Sequence, residues 1–157
     1  MIADRAENAG QALWFGDNLM TVRVAAGSGD DDISIVECRM PRDGSTPLHV
    51  ELSGDEIVHV IEGTLRFRVD GNYFFCHSGQ TVVAPKGLPH TFRIEPGEGG
   101  TCLVVTQGDE FERMVREMCL PASAGYPVRT ERAPQAGQDF FDGPATSRFQ
   151  VVGAPLP

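Results

Sequence analysis

The chain has 157 residues, 22% of them charged and 41% hydrophobic, the balance of a globular protein built around one core. Its net charge of −9 repels nucleic acid and anionic membrane surfaces. Four cysteines without a C-x-x-C pair, no basic segment leading into an apolar run at the N-terminus, and no stretch near the ~18 apolar residues of a membrane span together predict a cytoplasmic protein with reduced thiols.

Residues 1–11 are small and polar and read as a loose arm. From Ala12 to Gln107 the sequence breaks into short strand-like runs separated by turns: Ala12–Phe15, Leu19–Ala25 up to the turn Gly27–Asp32, then Ile33–Met40. Glu56–Ile61 and Thr64–Val69 predict a hairpin around Glu62-Gly63, and Leu65, Phe67 and Val69 alternate with Arg66, Arg68 and Asp70 as in a strand with one buried face. Tyr73–Cys76, Thr81–Ala84, His90–Ile94 and Thr101–Gln107 complete the set. Many short strands at even spacing indicate a β-barrel or sandwich. One amphipathic helix follows over 109–119, with Asp109 placed to cap it, Glu112 three residues on, and Phe111, Met114, Val115 and Met118 forming its apolar stripe. The segment 121–157 holds six prolines and reads as a tail wrapping the barrel or a partner chain. The whole of 1–157 is expected to be a single all-β domain.

Two segments carry the chemistry. His49 and Glu51 are two residues apart and share one face of a strand. Glu56 opens the next strand after the Ser53-Gly54-Asp55 turn, and His90 heads a later strand after Pro89. Imidazole with carboxylate suits iron, manganese, nickel, cobalt or zinc better than calcium or magnesium. The expected centre is therefore one divalent transition metal, Fe(II) first, held by His49, Glu51, Glu56 and His90 with two positions open. If Glu56 faces inward, so do Val58 and Val60, while His59 faces away as a structural histidine; His77 lies in a turn and is expected to be solvated. Val58, Val60, Phe67, Phe92 and Ile94 are the predicted pocket walls, and Arg66, Arg68 and Arg93 point away from it. An apolar, aromatic cavity without an interior arginine fits a small aromatic or polyketide-like substrate better than a phosphate or a sugar.

These segments resemble the two motifs of the cupins, small jelly-roll β-barrels. Gly44, His49, Glu56 and Gly63 match the first motif, and Gly79, Pro85, Gly87 and His90 match the second, G-x5-P-x-G-x2-H. The likeness covers Ala12 to Gln107, and Trp14 with the Pro155-Leu156-Pro157 ending is loosely similar to single-domain cupins of the quercetin dioxygenase type. Two positions depart from the pattern: Glu51 stands where cupins carry a second histidine, and Ile94 where an asparagine often closes the second motif. In the family three histidines and one glutamate hold the metal; here the resemblance leaves either the full set or His49, Glu56 and His90, with Glu51 a ligand or a free general base. The resemblance implies a homodimer. Three activities follow in order: a dioxygenase-type oxidation of a metal-chelated substrate with Glu51 or Glu56 as catalytic base; non-redox cyclisation, isomerisation, decarboxylation or elimination on the same site; and binding of a small molecule without turnover.

Overall fold

A computed structural model describes residues 10–15, 17–27, 32–97, 99–122 and 149–157. The expected N-terminal arm (except Gly10 and Gln11), most of the Gly27–Asp32 turn and most of the proline-rich tail lie outside the described residues. Within them the chain forms β1 (Ala12–Phe15), β2 (Asn18–Val24), β3 (Ile33–Met40), β4 (Leu48–Glu51), β5 (Glu56–Glu62), β6 (Thr64–Val69) and β7 (Asn72–His77). β8 (Thr81–Ala84), β9 (His90–Ile94), β10 (Gly100–Gln107), α1 (Glu110–Met118), β11 (Leu120–Pro121) and β12 (Phe149–Gly153) follow. The strands make two antiparallel sheets facing each other, β11-β1-β2-β3-β10-β5-β8 and β12-β4-β9-β6-β7. This is the all-β jelly roll that the sequence predicts.

Alternation drives the packing. In β5, Glu56, Val58 and Val60 are buried while Ile57 and His59 are half-exposed, so one face of each strand turns inward. Leu65, Phe67, Phe92, Ile94, Val36, Val104 and Cys102 meet from both sheets in a continuous core. All four cysteines are buried and free. Cys38 and Cys102 sit opposite each other on β3 and β10, and each thiol is closed off from solvent. No helix among the described residues is long and apolar enough to cross a membrane.

Two local expectations need correction. β5 and β6 do not form a hairpin: β5 pairs with β10 and β8, whereas β6 pairs with β7 and β9 in the other sheet. Gly63 is where the chain crosses between sheets, with φ of 88° and the Gly99 carbonyl only 2.7 Å from where a Cβ would stand. Alternation along a strand says which face is buried but not which strand lies alongside, so the short spacing misled. In α1, Asp109 sits at the N-cap but makes no side-chain cap bond. Glu112 instead turns inward, accepting from the Ala26 amide at 2.7 Å and from Arg116 Nε at 2.8 Å. The apolar stripe holds as expected, with Met114 and Val115 fully buried against the barrel.

Because Leu65 is fully buried between the sheets, Leu65→Ala is expected to cost about 2–5 kcal/mol in urea denaturation. Ile61→Ala, at a position 45% exposed on the same crossing, is expected to cost less than about 0.5 kcal/mol.

Candidate metal centre

The site sits where two of the sheet-crossing loops converge. One joins β4 to β5 and carries the chain from the five-stranded to the seven-stranded sheet; the other, between β8 and β9, carries it back. The loops are bonded to each other. The Lys86 amide donates to Asp55 Oδ1 at 2.8 Å, and the Gly87 amide donates to the Glu51 carbonyl at 2.9 Å. Two main-chain amides, one donating to a side chain and one to a carbonyl, thus fix the ends of the strands that carry the four side chains.

His49 and His90 are directly paired residues of β4 and β9, with ring centroids 4.4 Å apart. Glu51 stands on the same face of β4, and Glu56 reaches across from the opposite sheet. All four are at most 4% exposed, and one donor atom from each lies within 4.8 Å of the other three. His49 Nε2 is 3.7 Å from Glu51 Oε1; His90 Nε2 is 3.9 Å from Glu51 Oε1 and 3.9 Å from Glu56 Oε1. These are the four residues the sequence reading singles out, and the fold brings all of them together.

Both imidazoles are oriented from behind. His49 Nδ1 donates to the Pro47 carbonyl at 2.8 Å and His90 Nδ1 to the Leu88 carbonyl at 3.0 Å. A carbonyl only accepts, so each Nδ1 carries the proton, and in the neutral ring the Nε2 lone pair points into the cluster. This second-sphere arrangement is the one that metal-binding histidines require. His90 Nε2 and Glu51 Oε1 are buried with no hydrogen-bond partner among the described residues. Opposed donors about 2.1 Å from a shared ion would stand about 4.2 Å apart. The spacing, the two orphaned atoms and the nitrogen-oxygen chemistry all fit a divalent transition cation.

Electrostatics separate the two carboxyls. Burial, reinforced by the charge of Glu56 and contact with it, pushes Glu51 from 4.5 up to about 11, and the Glu110 carboxylate adds to the shift. Burial also works against an ionised Glu56, but contact with Glu51 and the nearby imidazoles of His90 and His49, whose cationic forms favour a carboxylate, overcome it and hold Glu56 well below the usual carboxylate range. Without a cation the pair keeps one proton, on Glu51. His49 is lowered, chiefly by burial, whereas His90 is raised because the Glu56 carboxylate outweighs its burial. Glu110 belongs to the first turn of α1 and accepts from Ser53 Oγ at 2.6 Å, tying the helix to the crossing loop.

The cluster opens into a cavity of about 50 Å³ lined by His49, Glu51, Glu56, Phe92, Phe15, Met20, Cys38, Met40, Val104, Phe111 and Phe149, with Asn18, Ser45, Thr46 and Pro47 at its polar edge. Of the five predicted wall residues only Phe92 lines it. Val58, Val60, Phe67 and Ile94 face inward as expected but belong to the solid packing below the site. Their alternation is right and their height in the barrel is wrong. The walls missed from sequence come from β1–β3, β10, α1 and β12, elements that no spacing rule links to His49. His59 faces outward as expected, bonded to Thr81 Oγ1 at 2.9 Å. His77 is exposed and bonds to Thr64 Oγ1 at 3.1 Å, a pairing that the solvated turn position predicted for it does not include.

The cupin domain family matches residues 36–106, which contain the whole four-residue cluster. Residues 36–106 are a cupin domain. Over 86 residues, the chain is 30% identical to the quercetin 2,3-dioxygenase of Bacillus subtilis (strain 168), a match spanning 55% of this chain and 26% of that protein. The chain thus spans only about a quarter of the length of this curated relative. Among solved structures the cupin barrel superposes on an RmlC-like cupin from Shewanella frigidimarina with a TM-score of 0.52 and 14% identity, covering 64% of this chain and 85% of the other. It also superposes on the polyketide cyclase RemF from Streptomyces resistomycificus with a TM-score of 0.50 and 24% identity, covering 63% and 68%. At these identities the two structures establish the shared fold.

The proton held by Glu51 sets a pH dependence. An acid whose pKa rises on folding is bound more tightly to its proton in the native state, so folding loses stability as pH climbs from 4.5 towards about 11. Metal-free wild-type protein is therefore expected to melt at progressively lower temperature than metal-free Glu51→Gln between pH 6 and 9. Thermal melts in chelator read the difference; a gap that does not change with pH would remove the shared proton.

Proposed function

We propose that this cupin is a metal-dependent enzyme that oxidises a small, aromatic or polyketide-like substrate with molecular oxygen, the substrate being chelated through an enol or phenol oxygen. The observation that carries this reading is the cluster itself: two histidines with fixed Nε2 donors and two unequal carboxyls, buried beside an aromatic-walled cavity. His49, Glu56 and His90 form a two-histidine, one-carboxylate set of the kind used by non-haem iron oxygenases, and Glu51 supplies a fourth donor. The likeness to quercetin 2,3-dioxygenase supports the same class of chemistry. When bound, a divalent ion, Fe(II) first and Ni, Co, Mn or Zn on the same donors, would supply Lewis acidity and, if redox-active, electrons for oxygen.

The protein residues divide the remaining work. Glu56, held ionised by its neighbours, is the permanent anionic donor. Glu51, once a bound cation has displaced the proton it holds, would be the carboxylate of higher proton affinity and so the catalytic base that accepts the proton of the substrate hydroxyl. Phe15, Phe92, Phe111 and Phe149 exclude water and flank a planar ring. Among the described residues no arginine or lysine lines the cavity, which disfavours phosphorylated substrates. A non-redox cyclisation or elimination uses the same donors and the same base, and the polyketide cyclase RemF is built on the same fold.

Elemental analysis of protein purified without chelator is expected to give about one transition-metal ion per chain, and His90→Ala is expected to lower its affinity by on the order of a hundredfold. Oxygen uptake on adding catechols or flavonols to the iron form would support the oxygenase. Turnover under argon with the zinc form would replace it with the non-redox reading.

A further inference from the structure

β7 is a free edge. It ends the five-stranded sheet, paired on one side with β6, and among the described residues no strand lies along its other side. Such edges are guarded by charged side chains, by proline or by a bulge. Asn72–His77 holds no lysine, arginine, acid or proline, and its register with β6 is unbroken. It carries instead three consecutive exposed aromatics: Tyr73 at 60%, Phe74 at 38% and Phe75 at 56% exposure.

Phe74 lies on the core side of the sheet. It stacks on Phe67 with centroids 5.8 Å and planes 9° apart, and Phe67 packs on Phe92 at 5.4 Å. Phe67 and Phe92 are buried, so an aromatic row that starts at a wall of the metal site ends part-exposed at the sheet edge. On the outer face Tyr73 pairs with Arg68, whose guanidinium carbon is 5.6 Å from the centre of the Tyr73 ring, and Phe75 pairs with Arg66. The edge is apolar on both faces, with its cations one strand back.

The main chain shows what fits. The His77 amide turns away from β6 and donates to Gln80 Oε1 at 2.8 Å. Bonded and unbonded positions alternate along an antiparallel pair, so Tyr73 and Phe75 also turn amide and carbonyl outward. A second β7 laid antiparallel, with Phe74 opposite the partner's Phe74, sets Tyr73 against Phe75 of the partner subunit. All the outward groups of both residues then pair across the seam, and the His77 bond to Gln80 is left intact. An axis at Phe75 would instead set Tyr73 against the partner's His77, whose amide is already taken. With the axis at Phe74, aromatics meet aromatics, no like charges meet at the seam, and the Asp70-Gly71 turn comes to His77 of the partner subunit, an acid beside a base. The exposed parts of the three aromatics come to on the order of 300 Å² per chain. That is a substantial share of the roughly 800 Å² each partner gives to a standard interface.

We infer that β7 is a dimerisation edge, where two copies of this chain join antiparallel about a two-fold axis at Phe74 and merge their five-stranded sheets into one. The inference is independent of the chemistry at the metal centre.

Sedimentation of the full chain at rising concentration is expected to show monomer passing to dimer. Phe75→Glu places a charge at the seam twice per dimer and is expected to weaken association on the order of a hundredfold. Because Phe75 is exposed, the melting temperature of this variant as a monomer is expected to stay within about 2 °C of the wild-type monomer. Val152→Glu, at an exposed position on the opposite edge strand of the same sheet, is expected to leave association unchanged. Phe74→Cys reads the register: its thiol would face its own copy within disulfide reach, while the four native cysteines are buried. Mild oxidation is expected to cross-link Phe74→Cys on the order of tenfold faster than Tyr73→Cys, which would stand against Phe75 of the partner subunit. Equal cross-linking rates would overturn the two-fold axis at Phe74. A dimer that Phe75→Glu leaves intact, or that Val152→Glu weakens as much, would overturn the β7 interface. Monomer at every concentration would overturn it too and leave the edge to a partner of another kind.

Discussion

Two carboxyl groups face each other at the end of an apolar barrel with almost no access to water, and the rest of the site is arranged around that repulsion. A protein can keep such a pair by protonating one member, by setting cations beside it, or by binding a metal between them. Here the first two are visible. Glu51 takes the proton, while Glu56 stays ionised next to His90, whose own cation it favours. The cluster is balanced as an acid-base unit in the absence of metal and has the donors to exchange that proton for an ion. Buried charge of this kind costs stability, so its presence in a core otherwise made of Val, Leu and Phe points to use and not to folding.

The jelly roll makes the arrangement possible by splitting the donors between sheets. His49, Glu51 and His90 come from one sheet and Glu56 from the other, so sheet packing sets the distance between donors and no single loop does. The bonds from Lys86 and Gly87 to the β4–β5 connection close the frame at the same end. Below the site, Val58, Val60, Phe67 and Ile94 form a dry floor that keeps the effective dielectric low and the carboxyl proton affinities far apart.

Much of this is legible in the sequence, for a specific reason. Period-two alternation reports which face a residue takes, so spacing puts His49 with Glu51, Val58 with Glu56 and His59 opposite them, while the inward placement of Glu56 and His90 comes from their likeness to the two cupin motifs. Alternation is silent on which strands are neighbours and on how high in the barrel a residue stands. The Glu62-Gly63 hairpin fails on the first count, since the crossing at Gly63 looks locally like any tight turn. Four of the five expected wall residues fail on the second. Phe149 is hidden for a third reason: roughly a hundred residues separate it from Glu51, and nothing local marks a strand that will pair across that distance.

The acceptors that orient the two imidazoles are the main-chain carbonyls of Pro47 and Leu88. Substitution at either position changes a side chain and leaves its carbonyl in place. The direction of both Nε2 donors is thus inherited with the backbone and not with particular neighbouring residues. A lineage is free to rewrite the surrounding loops, and even to exchange a histidine for a glutamate at position 51, without losing the aim of the remaining ligands. Chemical diversification can then proceed one donor at a time, each variant starting from a site whose geometry is already set.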